Sequence, residues 1–143
     1  MASIFGHIAA AAAIGQAGFP REARPVTFFI AGCLACAPDL DVIAFRFGVP
    51  YSSQWGHRGW THSLLFTIVL GVVTALIFNA LQPKNVSRRP LLITLWFVLS
   101  AVSHPLLDIL TNGGRGCALW WPFSLDRIFF PWHPILVSPL GAG

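Results

Sequence analysis

Charged side chains are scarce in this sequence. Asp, Glu, Lys and Arg make up 10% of its 143 residues and hydrophobic residues 55%, whereas a soluble domain is about a quarter charged. So few charges cannot cover a water-facing surface, which excludes an ordinary soluble globular protein. A basic stripe is also missing. The net charge of +4 comes from nine Lys and Arg against five acids, and the cations sit between apolar runs. They read as interfacial anchors and candidate substrate clamps, and no nucleic-acid partner is expected. There is no second cysteine pair: Cys33 and Cys36 have C-x-x-C spacing inside the apolar run Val26 to Ala37, and Cys117 stands alone. All three read as packing cysteines. No Lys or Arg precedes the Ala-rich stretch Ile4 to Ala17, so a secretory signal lacks its basic start. The chain also ends without a polar tail, at Ser138 to Gly143, an ending that leaves a longer natural protein open.

What is present is four apolar segments: Ile4 to Ala17, Val26 to about Phe47, Thr61 to Gln82, and Leu91 to about Leu110. Ser63 to Leu81 carries no charge; at about 1.5 Å per residue it spans roughly 28 Å, close to the hydrocarbon thickness of a bilayer. Short connections bearing Pro, Gly or Arg force neighbouring helices to run antiparallel. The segments therefore predict an all-α polytopic membrane bundle of about four helices, in a single domain over residues 1–143. Thr61 is expected to N-cap the third helix, with Pro83 and Pro90 punctuating the turn into the fourth. From Thr111 to Pro134, glycines and prolines interleave with Trp120, Trp121 and Trp132, the pattern of an irregular segment lying in the membrane interface.

The up-and-down path gathers polar residues at one end. His7 starts the first helix, Asp39 and Asp41 end the second, His57 and His62 precede or start the third, and His104 and Asp108 lie in the last turns of the fourth. An unpaired ionised Asp in apolar surroundings costs several kcal/mol, so these carboxylates need positive charge. Arg58 and Arg115 are available, but a metal ion also accounts for the histidines. His104 and Asp108 are spaced i, i+4 and share a helix face, provided Pro105 does not disturb it. Mixed imidazole and carboxylate donors suit zinc, with manganese or iron as alternatives. Seven candidates exceed one tetrahedral shell, so two ions are expected, an arrangement suited to phosphoester displacement. Asp41 or His57 would orient water or protonate the leaving group, and Arg58, with Arg115, would bind phosphate oxygens. A single histidine in an apolar helix is more often a hydrogen-bonded core residue; convergence is what lifts this set above that reading. His133 and Asp126 are read as interfacial residues without a role in the site.

The motifs Gly6-His7, Pro38-Asp39-Leu40-Asp41, His57-Arg58-Gly59-Trp60-Thr61-His62-Ser63 and Ser103-His104-Pro105-Leu106-Leu107-Asp108 resemble those of a bacterial family. It is the inner-membrane family of metal-dependent hydrolases called YdjM-like, which is partly LexA-regulated. The likeness continues through Thr111-Asn112-Gly113-Gly114 and Trp120-Trp121-Pro122-Phe123-Ser124. It implies a distant similarity to the zinc-dependent phospholipase C and P1 nuclease group, and so phosphoester hydrolysis. By the same resemblance His7, Asp39, His62, His104 and Asp108 are ligands, with Asp41 and His57 as ligands or their supports. The soluble enzymes carry further histidines and an acid downstream, which are lacking here unless His133 substitutes.

The expected protein is thus a multi-pass inner-membrane hydrolase acting on a lipid or other phosphoester. Arg21, Arg24, Lys84, Arg88 and Arg89 outnumber Arg46, Arg58, Arg115 and Arg127 across the bundle, which puts the metal site on the non-cytoplasmic side. The alternative is a membrane protein that transports or stores metal without hydrolysis. Transport predicts ligands near the bilayer midplane, with a path to both sides.

Overall fold

The structure, a computed structural model, describes residues 3–19, 24–82 and 89–137. Four α-helices make the bundle: α1 (Ile4–Gly18), α2 (Pro25–Cys36), α3 (Leu64–Leu81) and α4 (Pro90–Ile109). Their starts follow from local chemistry. Ser3 Oγ accepts from the Gly6 N–H at 3.1 Å, and Pro25 and Pro90 open α2 and α4, where a missing N–H is harmless. The expected N-cap of α3 is corrected by two residues. Ser63, rather than Thr61, caps it by accepting from the Phe66 N–H at 3.1 Å.

The second apolar segment does not continue as one α-helix. At Ala37 it tightens into a 3₁₀ helix, Ala37–Phe47. Pro38 cannot donate to the carbonyl four residues back and its ring crowds that turn, so the i→i+4 ladder ends there. Gly48, at φ 76°, ends the segment in the left-handed region that glycine adopts without strain. Pro105, by contrast, lies inside α4, which runs on to Ile109, so the shared face of His104 and Asp108 survives.

Helix α4 is central, packing against α1, α2 and α3. Small residues permit the close approach: a side chain at Gly71 would collide with the Val98 backbone, and one at Gly15 with the Trp96 indole, as expected where helices pack without a hydrophobic drive between them. The indole Nε1–H of the fully buried Trp96 donates to Ala11 O at 3.2 Å. Around it Ala11, Ala31, Leu34, Ala35, Ala75, Phe97 and Ala101 form the core. The outward residues are no more polar. Leu65, Val69, Leu76 and Ile77 of α3 and Leu91 and Leu95 of α4 are exposed, an arrangement suited to hydrocarbon rather than water. Three stretches, Pro25–Phe47, Leu64–Leu81 and Pro90–Ile109, are long and apolar enough to cross a membrane.

The residues after α4 fold back over one end of the bundle as an irregular segment. Among the described residues it contains two isolated bridges, Thr111 with Ile135 and Cys117 with Ile128, and no strand. Leu64 N–H donates to Leu119 O at 3.0 Å and Ala118 N–H to Arg58 O at 3.0 Å, tying it to the start of α3. Ile109, Cys117 and Leu119 make a second small core beneath it. Burial pushes the Cys117 thiol up to about 12, in keeping with a packing cysteine, and all three cysteines are free. Arg21, Lys84, Arg88, Pro83 and the end from Ser138 to Gly143, on which expectations about orientation and chain length rest, lie outside the described residues.

Candidate metal centre

Pro38 ends the α-helical ladder of α2 one residue before Asp39, and the tighter 3₁₀ turn carries Asp39 and Asp41 into the bundle. The loop before α3 brings His62 to the same end, and α4 supplies His104 and Asp108 one helical turn apart. Asp39, His62, His104 and Asp108 offer ligand atoms that all lie within 4.8 Å of one another. His62 Nε2 and His104 Nε2 are 3.0 Å apart. Asp39 Oδ1 is 3.6 Å from the first and 3.5 Å from the second, and Asp108 Oδ2 is 3.7 Å from His62 Nε2. A tetrahedral ion with bonds of about 2.0–2.1 Å has ligand-to-ligand edges of about 3.3–3.4 Å. The four separations given, 3.0–3.7 Å, scatter about that edge.

Tautomers reinforce the fit. His104 Nδ1 lies 2.6 Å from Ala35 O, and a carbonyl can only accept, so Nδ1 carries the proton and a neutral His104 turns a lone pair inward at Nε2. His62 Nδ1 faces Asp41 Oδ2 at 3.3 Å and Thr61 Oγ1 at 3.1 Å, which likewise leaves Nε2 as an inward lone pair. Two lone pairs at 3.0 Å repel unless a cation or a proton lies between them. Burial disfavours the charged form of His62, but the Asp39 and Asp41 carboxylates outweigh it and raise its pKa. The side chains of His62, His104 and Asp108 are fully buried and Asp39 keeps 10% exposure. Both Asp39 oxygens are buried without a hydrogen bond, a state that several kcal/mol per charge disfavours unless a cation is present.

A second group, Asp41, His57 and His62, shares a histidine with the first. Asp41 Oδ1 lies 2.6 Å from His57 Nδ1, and Thr61 Oγ1 donates to Asp41 Oδ2 at 2.5 Å. These are hydrogen-bond lengths, shorter than a coordination edge. Asp41 therefore braces His57 directly and His62 through Thr61. His7 stacks on His104 with centroids 4.0 Å apart. Its Nε2 is 3.7 Å from Asp108 Oδ1, and neither ring nitrogen has a hydrogen bond. All seven residues expected as ligands thus meet at one end of the bundle.

The arginines are used differently from the expectation. Arg58 is buried, with Nε 3.0 Å from Asp108 Oδ2, and its terminal nitrogens donate to Gly113 O at 2.9 Å and Thr111 Oγ1 at 3.3 Å. Pointed inward, it holds Asp108. Arg115 is exposed, its guanidinium 5.8 Å from the Tyr51 ring centroid. Arg127, to which the sequence assigned no role in the site, donates to the carbonyls of His57 at 2.9 Å and Tyr51 at 2.7 Å, fixing the loop that carries His57. Thr61 was read only as a cap; its place beside His62 in the motif was the available signal. Asp126 accepts from Ser124 Oγ at 2.9 Å and His133 packs against Phe129 in a tilted arrangement with centroids 4.2 Å apart, neither among the groups that gather at this site.

A family model described as YdjM inner membrane protein matches residues 1–143. The chain belongs to that family. It is similar to the inner membrane protein YbcI of Escherichia coli strain K12, with 37% identity over 139 residues, covering 97% of this chain and 78% of YbcI. No solved structure matches it, and the similarity to the phospholipase C and P1 nuclease group is not shown. Membership of the YdjM family and three candidate spans make the chain an inner membrane protein, and its His and Asp cluster has the donors to hold a divalent metal.

Proposed function

We propose that this YdjM-family protein is a membrane-bound metal-dependent hydrolase of phosphoesters, with one divalent ion, zinc by its donor set, held by Asp39, His62, His104 and Asp108. The observation that carries the metal is the pair of inward Nε2 atoms 3.0 Å apart with Asp39 Oδ1 at 3.5 and 3.6 Å. Charge supports a single ion. Asp39, Asp41 and Asp108 bring three negative charges and Arg58 returns one, so with neutral histidines one divalent cation neutralises this buried set. The two-ion expectation counted Asp41 and His57 as ligands, and their hydrogen bond gives them another use.

An ion held by these four residues would supply Lewis acidity only to a water or phosphoryl oxygen that it accepts as a further ligand, lowering the pKa of the one and stabilising charge on the other. The chain's own residues do the rest. Asp41 fixes His57 through Nδ1, and His57 Nε2 is buried without a partner, an acid–base group held in one orientation. In hydrolysis the water oxygen bonds to phosphorus as the bond from phosphorus to the leaving oxygen breaks. The water proton passes through His57 Nε2 to that leaving oxygen. Arg58 positions Asp108, and Arg115, exposed beside Tyr51, is a cation free to meet a phosphate.

The test is elemental analysis of the protein purified in detergent, with phosphoester and phospholipid hydrolysis assays on the wild type and His104→Ala. One zinc per chain and turnover are expected, both lost in H104A. Absence of metal after chelation and repletion sinks the reading. Metal without turnover favours a storage or transport protein, the alternative that the full burial of the ligand atoms supports.

A further inference from the structure

The centre is closed on most sides. Below it lie Leu34, Ala35, Trp96 and Ala101 of the core. Above it lie the buried Arg58 and, from the segment that follows α4, the buried Thr111, Cys117, Ala118 and Leu119, and on the α3 flank Ser63 and Thr67 are fully buried. Asp39 is the exception among the four ligands, retaining 10% side-chain exposure, and it sits on the 3₁₀ segment. Only Pro38 of that segment is buried. Eleven residues is long for a 3₁₀ helix, whose weaker hydrogen bonds make runs beyond three or four uncommon and mark hinges. At its start Cys36 Sγ lies 3.9 Å from Ile4 O, so the wall beside Asp39 is a seam with the first turn of α1, where His7 also sits. The outer rim of that seam is apolar: Ile4 and Phe5 are 57% and 80% exposed, and Leu40 and Ile43 are 65% and 52% exposed. The 3₁₀ segment belongs to a stretch apolar enough to cross a membrane, which puts this rim against acyl chains.

We propose that substrate reaches the metal centre sideways, from the bilayer, through the seam between the start of α1 and the 3₁₀ segment, and is a membrane lipid with a phosphoester headgroup. This rests on the hydrolase reading and adds its route and substrate class. The acyl chains would lie along Leu40, Ile43, Ile4 and Phe5 while the headgroup passes Asp39, and outward movement of the 3₁₀ segment opens the way.

The route can be tested apart from hydrolysis. Zinc-loaded protein in open membrane sheets, both aqueous faces accessible, is stripped with 1,10-phenanthroline, which enters bilayers, or with its sulfonated derivative, which does not. Phenanthroline is expected to remove zinc at least tenfold faster. Cys36→Phe, which fills the seam, should slow that removal and the hydrolysis of phospholipid vesicles by about tenfold each with zinc content unchanged. Cys33→Phe, three residues earlier and exposed, should change neither. Equal stripping by the two chelators overturns the route, as does an unaltered rate in zinc-replete C36F. If C36F does not fold, the chelator comparison on the unaltered chain decides. A water-soluble diester cleaved as fast as vesicle lipid overturns the substrate class. A chain that binds no zinc fails the metal reading itself, and one that binds zinc and keeps the chelator preference but cleaves no vesicle lipid loses the substrate and retains the route.

Discussion

Arg58 holds a left-handed backbone conformation, φ 62°, which costs a non-glycine residue about 1–2 kcal/mol. It persists because each side of the residue is tied down. Its N–H reaches Asp41 Oδ2 at 3.3 Å, its carbonyl accepts from Ala118 at 3.0 Å, and its guanidinium meets Asp108, Gly113 and Thr111. The sequence placed Arg58 at the right end of the bundle beside the right histidines, but an arginine's direction is not written in its neighbours. Only the fold shows it pointing inward. Removing one member of a buried ion pair leaves the other uncompensated, at about 3–5 kcal/mol. Arg58→Met is therefore expected to destabilise the metal-free protein by roughly that amount and the zinc-loaded protein by less, because the ion then balances Asp108. Thermal denaturation in detergent with and without zinc measures the difference, and equal losses in the two forms would refute the pairing.

At the scale of elements, the four helices were legible because apolar runs bounded by Pro, Gly and Arg leave few other choices in a chain this poor in charge. The convergence of His7, Asp39, His62, His104 and Asp108 was legible for the same reason: antiparallel order alone puts those positions at one end. Boundaries were less so. Thr61 and Ser63 are both good caps, and separation by two residues is below what composition resolves. The structure divides the labour. Ser63 Oγ accepts from Phe66 N–H, whereas Thr61 Oγ1 donates to Asp41. Ser63→Ala should then lower stability by about 1 kcal/mol, the usual effect of losing an N-cap, with zinc content intact. Thr61→Val, close to isosteric, should leave α3 capped but loosen Asp41 and with it His57, lowering kcat more than KM. If Ser63→Ala rather than Thr61→Val impaired turnover, the assignment of the two hydroxyls would be reversed. The break from α to 3₁₀ at Ala37 was half visible, since Pro38 signals a disturbance without saying what replaces the helix.

For the whole molecule, the site's arginines change the argument about orientation. On sequence, five cations in the two connections at the far end, Arg21, Arg24, Lys84, Arg88 and Arg89, face four at the site end, a slight bias. The structure gives two of those four internal work: Arg58 is buried against Asp108, and Arg127 holds the loop carbonyls of Tyr51 and His57. Arg46 and Arg115 remain as exposed cations at the site end, so the cations placed to interact with the cytoplasmic face during insertion lie mostly at the other end. The metal centre is accordingly expected on the non-cytoplasmic side of the inner membrane. Gln54, exposed in the loop before α3, and Gln82, which follows α3 at the opposite end, report the two faces. In spheroplasts, a membrane-impermeant maleimide should label Gln54→Cys directly and Gln82→Cys only after permeabilisation. The native cysteines leave a low background, because Cys33 and the half-buried Cys36 lie on an apolar span and Cys117 is buried. The opposite labelling pattern would place the centre in the cytoplasm, where the loop cations no longer explain how the chain is inserted.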